Sequence, residues 1–94
     1  MKIMSFNVWG LAGPHKRSTL KRVVILEHPD ILLLQETLGV GDVIKERLDS
    51  WFPGCVFASL DAKGRSGGLD IGWNACSVKA NNLWGMDHVL GLHF

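Results

Sequence analysis

Residues 29–37 read PDILLLQET, and the class of fold depends on how this stretch is interpreted. Residues 31–34 are all apolar, and they lie between a proline-aspartate pair and three polar residues. A short apolar run with such boundaries is typical of a strand that is buried on both faces. Strands of this kind belong to parallel sheets that helices cover. The stretch therefore predicts a buried strand with a parallel neighbour.

The parallel neighbour is predicted upstream, at residues 2–8, where polar and apolar residues alternate. The even-numbered residues of this strand form its more apolar face. Between the two strands, Ser18 is expected to cap a helix that runs to about Glu27 and is stopped by Pro29. Strand, helix and strand together predict a βαβ unit.

The rest of the chain predicts a second helix followed by strands. The helix begins at Asp42, and Pro53 ends it. Strands are predicted at residues 55–60, 68–73, 77–80 and 86–93, with turns at 61–67 and 81–82. The prediction is an α/β fold with a mixed sheet. Because the last strand reaches the end of the chain without a closing helix, residues 1–94 are expected to be part of a larger domain.

Composition limits the functions that the chain can have. The formal net charge is +1, so no global basic excess indicates nucleic acid. One local cluster is basic, and it fits a nucleic-acid patch and a solvated helix face equally well; it contains His15, Lys16, Arg17, Lys21 and Arg22. Two cysteines and the lack of a secretory or membrane-spanning apolar run favour an intracellular protein with no membrane partner. The nucleus is one candidate compartment.

Two polar residues, Asn7 and Glu36, lie at or near the carboxyl ends of the two predicted parallel strands. Ligands of open α/β sheets bind in the crevice at those ends. Amide and carboxylate oxygens suit a hard divalent cation such as Mg²⁺, which keeps waters as its other ligands. The alternative is structural: Glu36 is a solvated strand end and Asn7 caps a turn. From spacing alone, both interpretations stay open.

Three stretches in order resemble motifs of the endonuclease/exonuclease/phosphatase superfamily. They are KIMSFNVWGL at 2–11, PDILLLQET at 29–37 and GRSGGLDIGW at 64–73. The pattern is more similar to the endonuclease domain of plant non-LTR retrotransposons than to the abasic-site repair enzymes. The resemblance implies the N-terminal part of a four-layer α/β sandwich, with helices on one face of the sheet.

The resemblance also implies roles for individual residues. Glu36 matches the metal-binding glutamate of the family, and Asn7 matches the asparagine that helps to hold metal and phosphate. The implied cofactor is Mg²⁺, with Mn²⁺ as a substitute, and the implied partner of an intact domain is nucleic acid. Trp9 lies in a glycine-rich loop beside these residues and is the best candidate for a substrate contact.

The sequence departs from the family pattern in several places. Some relatives carry an acidic residue where Trp9 stands. Asp70 replaces a small or apolar residue, and we expect it to be either solvent-exposed or destabilising, without a catalytic role. The later family motifs supply a tyrosine, an Asp-x-Asn pair and an Asp-His pair, but this chain has no tyrosine. Its one Asp-His dipeptide, at residues 87–88, comes too early and is interpreted as chance.

These departures predict an N-terminal fragment of a magnesium-dependent endonuclease that is inactive alone. Two alternatives remain open. One is a remnant that binds phosphate or nucleic acid without cutting it. The other is a small α/β interaction module, or a degenerate product without catalysis.

Overall fold

The computed structural model describes residues 1–11, 15–38, 41–63, 66–86 and 89–93. Its elements follow one another in a strand-helix-strand-helix order and then continue as four strands. They are β1 (Ile3–Asn7), α1 (Lys16–Glu27), β2 (Ile31–Gln35), α2 (Gly41–Trp51), β3 (Cys55–Lys63), β4 (Ser66–Asn74), β5 (Asn82–Met86) and β6 (Val89–His93). No helix in these ranges has the length and apolar character needed to cross a membrane.

Four of the strands form one mixed sheet in the order β1-β2-β4-β3. β1 and β2 are parallel, and their register places Ile3 opposite Ile31 and Asn7 opposite Gln35. β4 lies antiparallel to both β2 and β3. β5 and β6 form a separate antiparallel pair. The predicted βαβ unit and the mixed sheet are therefore confirmed.

Both helices pack on the same face of this sheet. Leu20 of α1 and Leu48 of α2 lie in one buried cluster with Leu32 and Leu34 of β2 and Phe57 of β3. The strand residues in this cluster alternate along β2, as the side chains of any strand do. The prediction of a mixed sheet with helices on one face is confirmed.

The opposite face of the sheet carries a smaller apolar cluster. Ile31, Ile71 and Val78 are buried there. Toward the edges of the same face, Ile3 is 57% exposed and Val56 is 41% exposed. Register places both residues on this side. Ile3 pairs with Ile31, which pairs with Trp73 of β4, and Trp73 in turn pairs with Val56. This face is apolar but only partly covered.

Two predicted boundaries are wrong. Ser18 does not cap α1, because the helix begins two residues earlier, at Lys16, and the Ser18 hydroxyl donates to the carbonyl of His15. The early start is stabilised by the Lys16 ammonium, which donates to the carbonyl of Val8 at 2.6 Å. The predicted 61–67 turn is also shorter, since the β3–β4 pairing continues to Lys63 and Ser66.

The two weaker strands were also assigned incorrectly. Residues 75–77 form a turn, in which the side chain of Asn74 accepts from the backbone N–H of Cys76 and its carbonyl accepts from Val78. The predicted strand at 86–93 is divided between two strands, because Met86 ends β5 and pairs with Val89 at the start of β6. Residues 87–88, which hold the Asp-His dipeptide, lie outside the described ranges.

Asp70 lies on the sheet face opposite Leu69 and Ile71, as predicted, but it is not solvent-exposed. Its register partner is Leu34, which belongs to the buried face that the helices cover. Asp70 is only 2% exposed, and its carboxylate accepts a hydrogen bond from the hydroxyl of Ser59. The exposed alternative is therefore wrong, since the side chain is buried and hydrogen-bonded.

Candidate metal and phosphate site

The carboxyl ends of β1 and β2 lie side by side at one edge of the sheet. The parallel register pairs Asn7 with Gln35, the last residue of β2, and Glu36 follows directly after the end of that strand. The predicted adjacency of the strands that carry Asn7 and Glu36 is therefore observed. Ligand sites of open α/β sheets are found at such strand ends.

Hydrogen bonds join the two chain segments beyond the ends of these strands. The backbone N–H of Val8 donates to the carbonyl of Gln35 at 2.9 Å, and that of Gly10 donates to the carbonyl of Glu36 at 2.7 Å. The loop after β1 is thus tied to the segment after β2 on either side of Trp9. The backbone around both candidate residues is held in one arrangement.

Several residues at the same edge have left-handed backbone conformations, with positive φ angles. Trp9, Glu36 and Leu38 have φ angles of 53°, 55° and 54°, and Gly10 has 89°. For residues other than glycine, sparsely populated conformations cost on the order of 1–3 kcal/mol each, and they concentrate at functional sites. Of the four positive-φ residues other than glycine in the described ranges, three lie at this edge. The strain therefore points to a ligand site here.

The glycines of the third motif fit against this edge. The carbonyl of Gly68 accepts from the N–H of Thr37 at 3.3 Å, and the carbonyl of Gly67 accepts from Leu38 at 3.2 Å. Gly68 has a φ of 90°, and a Cβ placed there would lie 2.5 Å from the Thr37 hydroxyl oxygen. Thr37 is 1% exposed and follows Glu36 directly in the chain. Its structural role was not predicted from the sequence, in which the glycine pair at 67–68 was the signal of a close approach between these segments.

The donor groups at this edge fit a hard divalent cation. The amide oxygen of Asn7 accepts from the N–H of Trp9 at 3.3 Å, a long hydrogen bond. Glu36 is half-buried, and within the described part of the chain no hydrogen bond or ion pair engages its carboxylate. Magnesium commonly takes one or two carboxylates and retains waters. No group of three His, Cys, Asp or Glu side chains that could hold a metal ion gathers in the described ranges.

A cleft of about 130 Å³ opens next to Asn7, between β1 and α1. Its polar lining residues are Asn7, Lys16 and Thr19. Within the basic cluster Lys16 is half-buried at this cleft, whereas Arg17 and Arg22 are exposed on α1. One positive charge of the predicted basic cluster is therefore beside the strand ends.

Trp9 is exposed at the same edge. Its side chain is 72% exposed, and its backbone lies between Val8 and Gly10, which are hydrogen-bonded to the segment after β2. Its role as a substrate contact stays a prediction.

An α/β sheet with polar groups at the carboxyl ends of parallel strands is typical of ligand-binding domains. A comparison with protein-family models identifies the family to which this domain belongs. The model of the endonuclease/exonuclease/phosphatase family matches residues 4–90. The chain belongs to this family. A comparison with curated protein sequences found no match.

Solved structures with a similar fold include two AP endonucleases and a 3′ phosphatase. The AP endonuclease LMAP from Leishmania major is 26% identical with a TM-score of 0.64, over 80% of this chain and 24% of that protein. An AP endonuclease from Archaeoglobus fulgidus is 22% identical with a TM-score of 0.63, over 89% and 30%. The 3′ phosphatase NExo from Neisseria, bound to a product DNA hairpin, is 21% identical with a TM-score of 0.68, also over 89% and 30%. The last two show the fold alone.

This chain spans between 24% and 30% of the length of those three proteins. It corresponds to a part of their fold.

Proposed function

We propose that residues 1–94 are the N-terminal part of a magnesium-dependent phosphodiesterase domain that acts on nucleic acid. The observation that carries the proposal is the placement of Asn7 and Glu36 at adjacent parallel strand ends. Membership of the family and the DNA-acting character of the similar structures support it.

In this proposal the Glu36 carboxylate and the Asn7 amide oxygen would hold Mg²⁺, or Mn²⁺ in its place, as two of the few protein ligands that such a cation commonly takes. A bound cation neutralises charge on a phosphate oxygen and so favours attack on the phosphorus. The chain's own contribution is to hold together the backbone segments that carry both oxygen donors, through the hydrogen bonds on either side of Trp9. Trp9 contacts the substrate.

The 94-residue chain is proposed to be inactive alone. Hydrolysis also needs a group that positions the water and one that stabilises the leaving oxygen. The family resemblance implies a tyrosine and further carboxylates for these tasks, and this chain contains no tyrosine. A retroelement origin, which rests on the sequence resemblance, and an intracellular, nuclear location, which rests on the low number of cysteines, complete the proposal.

Metal binding is tested by titrating Mn²⁺ into the chain and following water proton relaxation. Glu36→Gln removes the charge with little change in shape, and we expect it to weaken binding by about tenfold or more. Glu46→Gln is the matched control, because Glu46 is exposed on α2 and lies away from the strand ends. Equal binding by the two variants would exclude the proposed metal site.

The catalytic part is tested by nicking of supercoiled plasmid in Mg²⁺. The chain alone should leave the plasmid intact. Nicking that co-purifies with the chain and is lost in Glu36→Ala would overturn the proposed inactivity while supporting the metal site.

A further inference from the structure

Trp9 is an exposed aromatic residue on an anchored backbone. Among the tryptophans whose side chains are described, Trp51 and Trp73 pack against the two apolar clusters. Trp9 packs against neither and is 72% exposed. An isolated exposed aromatic side chain is not by itself informative, so the inference depends on how this one is held.

The backbone around Trp9 is held from three directions. Its own N–H donates to the amide oxygen of Asn7 at 3.3 Å. The carbonyl of Val8 accepts from the Lys16 ammonium at 2.6 Å, and Gly10 is bonded to Glu36. With a φ of 53°, Trp9 adopts a backbone conformation that destabilises the fold. Because its indole is exposed, packing of the side chain offsets little of that free energy. These bonds hold the backbone from which the indole projects.

Trp9 lies close along the chain to a proposed metal-binding residue. Trp9 follows Asn7 by two residues, so their Cα atoms are separated by at most about 7 Å. A phosphate at Asn7 and Glu36 would therefore bring an adjoining base within reach of the indole. Aromatic side chains stack on bases of any sequence. In a duplex the faces of each base are already stacked, and a base must leave the stack to be reached.

We propose that Trp9 is a stacking platform that gives this site a preference for unpaired nucleotides, as in single strands, over duplex nucleic acid. The proposal rests on the proposed function, because the phosphate is placed by Asn7 and Glu36. Lys16 adds positive charge in the cleft beside Asn7, which favours the backbone of either form. The indole alone distinguishes between them.

The test compares binding of a labelled short oligothymidylate and of a blunt hairpin duplex, measured by fluorescence anisotropy in Mg²⁺. Trp9→Ala should weaken single-strand binding by about tenfold, the loss of one base stack, and duplex binding by less than about twofold. Trp9→Phe should restore most of the single-strand affinity, since a smaller ring still stacks. Leu26→Ala is the matched control, because Leu26 is 70% exposed on α1.

Two results would overturn the proposal: equal losses for both probes in Trp9→Ala, or wild-type chain that binds the single strand no better than the duplex. Glu36→Gln separates this inference from the proposed function. Loss of the cation should weaken both probes alike and leave their ratio unchanged. If Glu36→Gln binds Mn²⁺ normally while the Trp9 preference persists, the metal assignment fails and the stacking assignment stands.

Discussion

At the scale of single residues, the glycines of the third motif are needed because they touch the segment that carries Glu36. Gly68 is buried, and it is bonded to Thr37. Its φ of 90° disfavours any residue with a Cβ, and a Cβ there would also lie 3.0 Å from the backbone nitrogen of Leu38. Both effects act on the backbone next to the candidate carboxylate. The motif therefore shapes the site without supplying a ligand.

Gly68→Ala should lower the free energy of unfolding by about 2 kcal/mol or more, from backbone strain and the close contact with Thr37. Gly54→Ala is the matched control, because no atom lies within 4 Å of a Cβ built at that position. Urea unfolding followed by circular dichroism measures both. A chain that tolerates Ala at position 68 as well as at position 54 would show that the two segments are not packed as described.

At the scale of secondary-structure elements, α2 is stabilised by one stripe of buried side chains. Leu48 is 0% exposed in the cluster between the helices and the sheet. Val43 on the same helix is 53% exposed. Leu48→Ala should cost about 2–5 kcal/mol because it removes buried methylene groups and leaves a cavity. Val43→Ala should change stability by less than about 0.5 kcal/mol. Equal unfolding midpoints for the two variants would contradict the assigned face of α2.

The elements near the N-terminus could be predicted from the sequence because their signals are local. The apolar run at 31–34 and the alternation at 2–8 each define a strand, and a βαβ unit makes such strands parallel neighbours. That reasoning placed Asn7 and Glu36 at one edge. It did not show the positive φ angles of Trp9 and Glu36, since residues other than glycine give no sequence signal for them.

The errors toward the C-terminus have two causes. Residues 77–80 were predicted as a strand, but local hydrogen bonds from Cys76 and Val78 to Asn74 turn the chain there. The error at Asp70 has a tertiary cause. Alternation along β4 identified its face correctly, yet the burial of that face depends on helices from other parts of the chain.

At the scale of the whole molecule, Asp30 connects segments that are distant in sequence. Its carboxylate accepts from the backbone N–H of Lys2 at 2.8 Å and from the hydroxyl of Ser77 at 3.0 Å. Its carbonyl accepts from the N–H of Asn74 at 3.0 Å. The start of β1, the start of β2 and the turn after β4 therefore meet at one side chain, at the end of the sheet opposite Glu36.

These contacts make stability depend on pH in a definite direction. The hydrogen bonds from Lys2 and then from Ser77 hold the pKa of Asp30 below its ordinary value of 3.8. A carboxyl group with a lowered folded-state pKa stabilises the fold above its unfolded pKa, and that contribution is lost as the pH falls through the folded-state pKa.

Asp30→Asn should therefore lower the free energy of unfolding at neutral pH, and this deficit relative to the wild-type chain should shrink as the pH drops below 3.8. Ser77→Ala removes one of the two donors to this carboxylate and should show a smaller deficit with the same pH trend. Urea midpoints measured across that range decide the matter, because a deficit of constant size at every pH would mean that the charge of Asp30 does not hold these three segments together.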